Sequence, residues 1–149
     1  MNETQARAEI LEAIGRWSAA LGRKDLDALA SEVGDHIELF DVGSQRSGRD
    51  EYLQIWADCF PFFGDTIGVE RREMKIHVSG ELAVAHCFTP LTGMQGEGDL
   101  TRSWMRATIC YRKSGGHWQS VHEHVSLPVD CVAERPLYLL DGDGDGSES

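Results

Sequence analysis

The chain has 149 residues, 41% of them hydrophobic, and its 25 acidic and 14 basic residues give a formal net charge of −11 at pH 7. This length and apolar content are typical of one folded domain, and they exclude both a disordered chain and two independent domains. The acidic surface lacks the positive charge needed for broad capture of nucleic-acid phosphates or anionic membranes, so we expect neither as a partner.

The N-terminal part of the chain has the hydrophobic spacing of helices. Apolar side chains recur every three or four residues over 3–22, which predicts an amphipathic helix, and Gly22 can adopt the left-handed conformation of a helix end. Asp25 is a typical N-cap residue and predicts a second helix that continues to Val33, where Gly34 ends it. Two helices therefore open the chain.

A short strand, a polar loop and a third helix follow. Residues 36–42 are predicted as the strand, and the loop covers 43–48. The next segment, 49–60, has aromatic side chains at the spacing of a helix face. Pro61 marks the end of this helix because proline lacks the amide hydrogen that a continuing helix needs.

Beyond Gly64 the hydrophobic period changes from helical to two, the period of a strand. Four strands are expected to form an antiparallel meander, at 74–78, 82–92, 100–113 and 117–127. Strands this long twist strongly, so the sheet should curve and leave a concave side. We therefore expect an α+β domain whose N-terminal helices pack on a strongly curved, mainly antiparallel sheet and close a pocket.

Residues 136–149 differ in composition from the rest of the chain. They are rich in Gly, Asp and Ser and are expected to form a disordered acidic tail after a single domain that covers 1–135. Their Asp-Gly repeats resemble the start of a calcium-binding loop, but Ser149 is reached before the glutamate that such a loop needs at its twelfth position. We therefore expect no calcium site in the tail.

Cysteine spacing and hydropathy bear on the cellular compartment. The four cysteines lie about 20 to 30 residues apart, without the close pairs of zinc or redox motifs, so we expect free thiols. The N-terminus lacks the basic and hydrophobic regions of a signal peptide, and no apolar run is long enough to span a membrane. These observations predict a cytoplasmic protein.

Histidine and glutamate alternate on the last predicted strand. His122 and His124 share one face and could either chelate a metal or pack as hydrogen-bonded side chains. Strict alternation places Trp118 and Ser120 on that same face. No third ligand with recognisable spacing accompanies the histidines, so we expect no metal. Glu123 stands on the opposite face among apolar neighbours, as either a cavity acid or base or an exposed or salt-bridged side chain.

Arg106 is the second candidate for chemistry. Alternation in its strand places it between Trp104 and Thr108 on one face. It could form a structural ion pair with Glu123, or its planar fork could hold the carboxylate or enolate oxygens of a ligand. The sequence lacks phosphate-binding and dinucleotide-binding glycine motifs and the Gly-x-Ser-x-Gly elbow, which leaves acid–base chemistry or plain binding.

The element order and the closing segment resemble a known superfamily. The closing segment contains the pattern Trp-Gln-x-Val-His-x-His-x-Ser, here Trp118 to Ser126. It is similar to the SnoaL-like branch of the nuclear transport factor 2-like superfamily and to the association domain of calcium/calmodulin-dependent protein kinase II. The superfamily also includes ketosteroid isomerase, scytalone dehydratase and limonene epoxide hydrolase. The resemblance covers Ile10 to Pro128 and implies a cone-shaped α+β domain.

The resemblance also implies which residues face the pocket. The face of Glu123 is expected to line the cavity, whereas His122 and His124 point away. Arg106 could replace the arginines of the association domain's pocket for anionic ligands. Asp41, at the end of the first strand, is either near the pocket mouth or a turn residue. The positions that match the pocket of the association domain are Tyr52, Phe88, Thr108 and Val125.

The expected function is small-molecule binding, with cofactor-independent acid–base catalysis on a hydrophobic substrate as the first hypothesis. Glu123 would transfer a proton, and Arg106 would stabilise negative charge on oxygen. The reaction could be of the isomerase, cyclase, dehydratase or hydrolase type. The residues expected to contact the substrate are Asp41, Tyr52, Trp56, His86, Phe88, Trp104 and Thr108.

The alternative is a non-catalytic ligand-binding or oligomerisation module, as the association domain implies. Under either hypothesis we expect a homodimer, because the outer face of an open, curved sheet needs a cover and this superfamily commonly pairs through it. We expect no cofactor under either hypothesis. The fold alone does not decide between the two, because one fold can carry many functions.

Overall fold

The computed structural model describes residues 2–94 and 104–137. All but the first two residues of the predicted acidic tail lie outside the described residues, and so does the start of the strand predicted over 100–113. Among the described residues, no helix combines the length and apolar character needed to cross a membrane. An N-terminal helix packs on a large, curved, mainly antiparallel sheet, which confirms the expected α+β class.

The first two helices begin where a capping side chain accepts a hydrogen bond from a free backbone amide. They are α1 at Glu3–Gly22, α2 at Leu26–Ala30 and α3 at Arg49–Cys59, followed by a 3₁₀ turn at Phe60–Phe62. The side chain of Asn2 accepts from the Gln5 amide at 2.7 Å. Asp25 accepts from the Ala28 amide at 3.1 Å, as its predicted role as an N-cap requires.

The strands account for most of the remaining chain. They are β1 at Val33–Phe40, β2 at Gln45–Ser47, β3 at Phe63–Val69, β4 at Arg72–Ser79, β5 at Leu82–Met94, β6 at Trp104–Ser114, β7 at His117–Ser126, β8 at Val129–Asp130 and β9 at Arg135–Pro136. The main sheet has the order β2-β1-β7-β6-β5-β3, and β4 also pairs with β5. The predicted meander from β4 to β7 is present, and β1 joins it by pairing parallel to β7.

Tertiary pairing changes two of the predicted boundaries. The second helix ends at Ala30 rather than at Val33, because Val33 is fully buried and pairs with Ser120 at the start of β1. The loop predicted over 43–48 contains β2, whose polar residues form an edge strand against β1. Local hydrophobic spacing does not report either pairing, since each depends on a strand that lies elsewhere in the sequence.

A bulge in β7 changes which side chains face inward. Tyr111 of β6 pairs with Ser120, but the preceding Cys110 pairs with His122, so Val121 is an extra residue between them. The prediction that Trp118 and Ser120 share a face with the histidines is therefore wrong. Ser120 is buried on the same side as Glu123, although strict alternation would separate them.

Truncating the same side chain on two faces of α1 tests the packing of this helix. Leu21 is 0% exposed and Leu11 is 48% exposed. Leu21→Ala should lower the free energy of unfolding by about 2–5 kcal/mol because it opens a cavity in the core. Leu11→Ala should cost less than about 1 kcal/mol. Urea denaturation measures both changes, and equal losses would contradict the orientation of α1.

Candidate active site

A cavity of about 390 Å³ opens between the helices and the concave face of the sheet. Its wall is mostly apolar and includes aromatic side chains from α1, from α3 and from the 3₁₀ turn. The ionisable side chains in this wall include Asp41, Tyr52, Arg71 and Glu123. Small-molecule sites in proteins commonly have a cavity of this size, with an apolar wall and a few polar groups.

β7 carries Glu123 into the cavity wall. Its neighbours across the sheet are Leu39 of β1 and Ile109 of β6, which are both buried, and Glu123 itself is 7% exposed. Burial raises the pKa of the Glu123 carboxyl, the Arg71 guanidinium partly opposes this increase, and the negative charge of Asp41 adds to it. The carboxyl group therefore keeps its proton to a higher pH than an exposed glutamate does.

Arg71 reaches the same region from the link between β3 and β4. Its Nη2 lies 3.7 Å from Glu123 Oε1, and both side chains are 9% exposed. The guanidinium carbon lies 4.4 Å from the ring centroid of Trp17, so the cation stacks on the indole. Its Nη1 lies 3.8 Å from Cys87 Sγ. Among the described residues, its buried Nε has no hydrogen-bond partner.

Aromatic side chains from two helices fix the opposite part of the wall. The indole nitrogen of Trp17 donates a hydrogen bond to the hydroxyl of Tyr52 at 2.8 Å. Trp17 also packs edge to face against Trp56, with ring centroids 6.1 Å apart. Burial raises the pKa of Tyr52, and the negative charge of Glu123 adds to the increase, so the phenol stays protonated at neutral pH.

The expected pair between Arg106 and Glu123 is wrong. Arg106 is exposed on the outer face of β6, where its Nε donates to Ser126 Oγ at 3.2 Å and its Nη2 donates to the Leu127 carbonyl at 3.4 Å. The inner face of β6 carries the buried residues that alternate with Arg106, such as Ala107. The cation beside Glu123 is Arg71 instead.

Four further residues of the expected substrate contacts also lie outside the cavity. Phe88 and Trp104 pack against each other on the outer face with ring centroids 5.5 Å apart, and Thr108 is exposed on the same face of β6. His86 pairs with His77 on that face, with their Nε2 atoms 3.1 Å apart. Their alternation with buried residues of β5 and β6 directs all four side chains away from the cavity.

The other expected contacts do line the cavity. Asp41, Tyr52 and Trp56 form part of its wall together with Glu123. His122 and His124 face away, as the resemblance implies, and Phe40 packs edge to face against both imidazoles. The described residues contain no group of three or more His, Cys, Asp or Glu side chains that could hold a metal ion.

Sequence reasoning missed Arg71 and Thr89. Thr89 is 3% exposed in the cavity wall, and its hydroxyl oxygen has no hydrogen-bond partner among the described residues. Arg71 precedes Arg72, and adjacent residues of an extended chain point to opposite sides. If this segment packs against the core, one of two adjacent arginines must face the interior. The Arg-Arg pair in the sequence therefore indicated a buried arginine here.

Tyr52→Phe tests the contribution of the hydrogen bond to Trp17. The buried indole N–H loses its acceptor, so the free energy of unfolding should fall by about 1–3 kcal/mol. Tyr111→Phe is the matched control, because Tyr111 is also buried and its hydroxyl makes no hydrogen bond with a described residue. This control should cost less than about 1 kcal/mol in urea denaturation. Equal losses would show that the bond contributes nothing.

Known families and structures place the chain in a wider group. The SnoaL-like domain model matches residues 10–130. A nuclear transport factor 2-like protein of unknown function from Pseudomonas putida is 31% identical, with a TM-score of 0.81, and the match covers 93% of this chain and 98% of that one. No curated protein matches the sequence.

Two more distant structures share the fold. A Streptomyces avermitilis protein, provisionally named a dehydratase of the nuclear transport factor 2-like family, is 19% identical with a TM-score of 0.69, and the match covers 84% of this chain and 97% of that one. A Novosphingobium aromaticivorans protein, provisionally named a scytalone dehydratase, is 15% identical with a TM-score of 0.70, and the match covers 82% and 83%. The family match spans most of the chain, from α1 to β8. The protein therefore belongs to the SnoaL-like branch of the nuclear transport factor 2-like superfamily.

Proposed function

We propose that the protein is a cofactor-independent acid–base enzyme that acts on a hydrophobic small molecule, with Glu123 as the proton-transfer group. The observation that carries this proposal is the buried carboxyl group in the wall of an apolar cavity, 3.7 Å from a buried guanidinium. A carboxyl group whose pKa is raised by burial can give or take a proton nearer to neutral pH than an exposed one.

Arg71 takes the role that the sequence suggested for Arg106. Proton transfer to or from carbon places negative charge on a neighbouring oxygen of the substrate, and a fixed cation in an apolar site stabilises that charge strongly. Stacking on Trp17 holds the guanidinium in place. Arg71 and Glu123 can therefore act on adjacent atoms of one substrate.

The names given to two similar structures suggest an elimination as the class of reaction. Two distant relatives by fold carry provisional dehydratase names. A dehydration needs a proton removed from carbon and a hydroxyl group protonated as it leaves. Asp41 offers a second carboxyl group in the same wall, so two carboxyls could divide these roles.

Hydrogen–deuterium exchange tests proton transfer without knowledge of the natural substrate. The protein is incubated in heavy water with cyclic ketones such as 2-tetralone, and loss of the α-proton signals is followed by proton NMR. We expect catalysed exchange with at least one ketone. Glu123→Gln should slow it at least about a hundredfold, because the amide cannot transfer a proton.

The same substitution at an exposed glutamate of α3, Glu51→Gln, is the matched control and should leave the exchange rate unchanged. Circular dichroism and thermal unfolding establish that both variants fold. Undiminished exchange by Glu123→Gln would contradict the proposed role. Ketones that bind but are not exchanged by the unmodified protein would favour a non-catalytic binding module.

We also propose that the protein forms a homodimer through the outer face of the sheet. The large apolar side chains exposed there include Phe40 at 43%, Val84 at 38% and Phe88 at 37%. A second copy would remove this apolar surface from water.

Light scattering after gel filtration should give twice the mass of the chain, and Phe88→Ser should give the single mass. Leu11→Ser, on α1, should leave the dimer intact, whereas a monomeric unmodified protein would contradict the proposal.

A further inference from the structure

Two buried polar groups in the cavity wall lack hydrogen-bond partners. The Nε of Arg71 and the Oγ1 of Thr89 are buried, and neither has a partner among the described residues. Buried polar groups are nearly always paired in folded proteins, so each exception needs an explanation. Both side chains line the same cavity, which makes a ligand atom a suitable partner for each.

The two side chains are both associated with strand β5. Arg71 Nη1 contacts the sulfur of Cys87 in β5 at 3.8 Å. Thr89 follows Cys87 by two residues on the same inner face, which places it about 7 Å further along the strand. A ligand group that contacts Arg71 can therefore also reach the hydroxyl of Thr89.

The charge of Arg71 is only partly used by the protein. The distance of 3.7 Å between Arg71 Nη2 and Glu123 Oε1 is too long for a hydrogen bond. The Cys87 Sγ atom that Arg71 Nη1 contacts is a weak acceptor. Among the described residues, the guanidinium donates no hydrogen bond shorter than 3.5 Å to an oxygen. A planar guanidinium binds a carboxylate through two parallel N–H···O bonds, and this is its preferred partner.

We propose that the cavity binds an apolar, ring-bearing carboxylate, whose oxygens accept hydrogen bonds from Arg71 and Thr89 while its ring packs against α3. The residues Ile55 and Trp56 of α3 form the apolar wall that would face the ring. This inference states which hydrophobic substrates the proposed enzyme would accept. It rests on the proposed function only where Glu123 acts in catalysis, because binding of the carboxylate does not require a reaction.

The charges around Glu123 give this binding a defined pH dependence. Arg71 opposes the raised pKa of Glu123, whereas Asp41 adds to it, and a bound carboxylate beside Arg71 would raise it further. Binding then takes up a proton at Glu123, so affinity falls as rising pH ionises that group. The other titratable side chains around Glu123 are His122, Tyr52, Tyr111, Cys87 and Glu32.

The test compares 2-naphthoate with 2-naphthamide, which has the same ring system and nearly the same shape but no charge. Calorimetric titration at about pH 6 is suitable, because carboxylic acids ionise near pH 4. The unmodified protein should bind the acid at least about tenfold more tightly than the amide, as charged hydrogen bonds predict. Equal affinities, or no binding of the acid, would overturn the proposal. This comparison uses only the unmodified protein, so it does not require that any variant folds.

Variants then locate the carboxylate. Arg71→Met should weaken 2-naphthoate binding at least about tenfold and leave the amide unchanged, and Thr89→Val should weaken it about threefold to tenfold. Arg106→Met is the matched control, because Arg106 lies on the outer face, and it should bind 2-naphthoate normally. Loss of binding in Arg106→Met but not in Arg71→Met would overturn the assigned position.

Glu123→Gln separates this inference from the proposed catalysis. The variant should still bind 2-naphthoate at about pH 6, and its affinity should fall less with rising pH than that of the unmodified protein, because the amide does not ionise. If no ketone exchanges but the acid is preferred, the ligand class stands and the catalytic proposal fails. If ketones exchange but the acid is not preferred, the ligand class fails alone. Unchanged pH dependence in Glu123→Gln would overturn the proton uptake.

Discussion

One extra residue in β7, the bulge at Val121, decides which ionisable side chains enter the interior. Trp118 and Ser120 face inward before the bulge. If the strand kept strict alternation, His122 would follow them inward and Glu123 would point outward. The bulge reverses this order, so a carboxyl group rather than an imidazole stands in the cavity wall. The chemistry open to the cavity depends on that single insertion.

The buried carboxyl group in turn explains the position of Arg71. A charge in an apolar cavity is costly unless another charge or a hydrogen bond compensates it. Arg71 supplies the opposite charge at 3.7 Å, and Trp17 supplies a stacking surface for it. This arrangement is only partly satisfied, because the Nε of Arg71 has no partner among the described residues. Because the Nε of Arg71 is left without a partner, the ion pair contributes less to stability. The same free donor makes the site suitable for binding an oxygen of a ligand.

Predictability from sequence differed between the fold and the site. The first helix and the long strands of the meander follow from hydrophobic spacing, which is local, whereas β2 and β3 depend on partners elsewhere in the chain. The position of Glu123 and Tyr52 in the cavity wall follows from the resemblance to the association domain, because the residue pattern alone leaves Glu123 either in a cavity or exposed. Arg106 was placed there in error and Arg71 was overlooked, because the inward face of an extended segment is set by its register against neighbouring strands.

The amino-acid sequence by itself determined the α+β class, the order of the main elements and the family, because each depends on residue patterns within short segments. Only the tertiary structure decided that Arg71 rather than Arg106 stands beside Glu123, and that β1 pairs with β7. These features depend on strand register and on the bulge in β7, which shift side chains between faces without changing the hydrophobic pattern of either neighbouring strand.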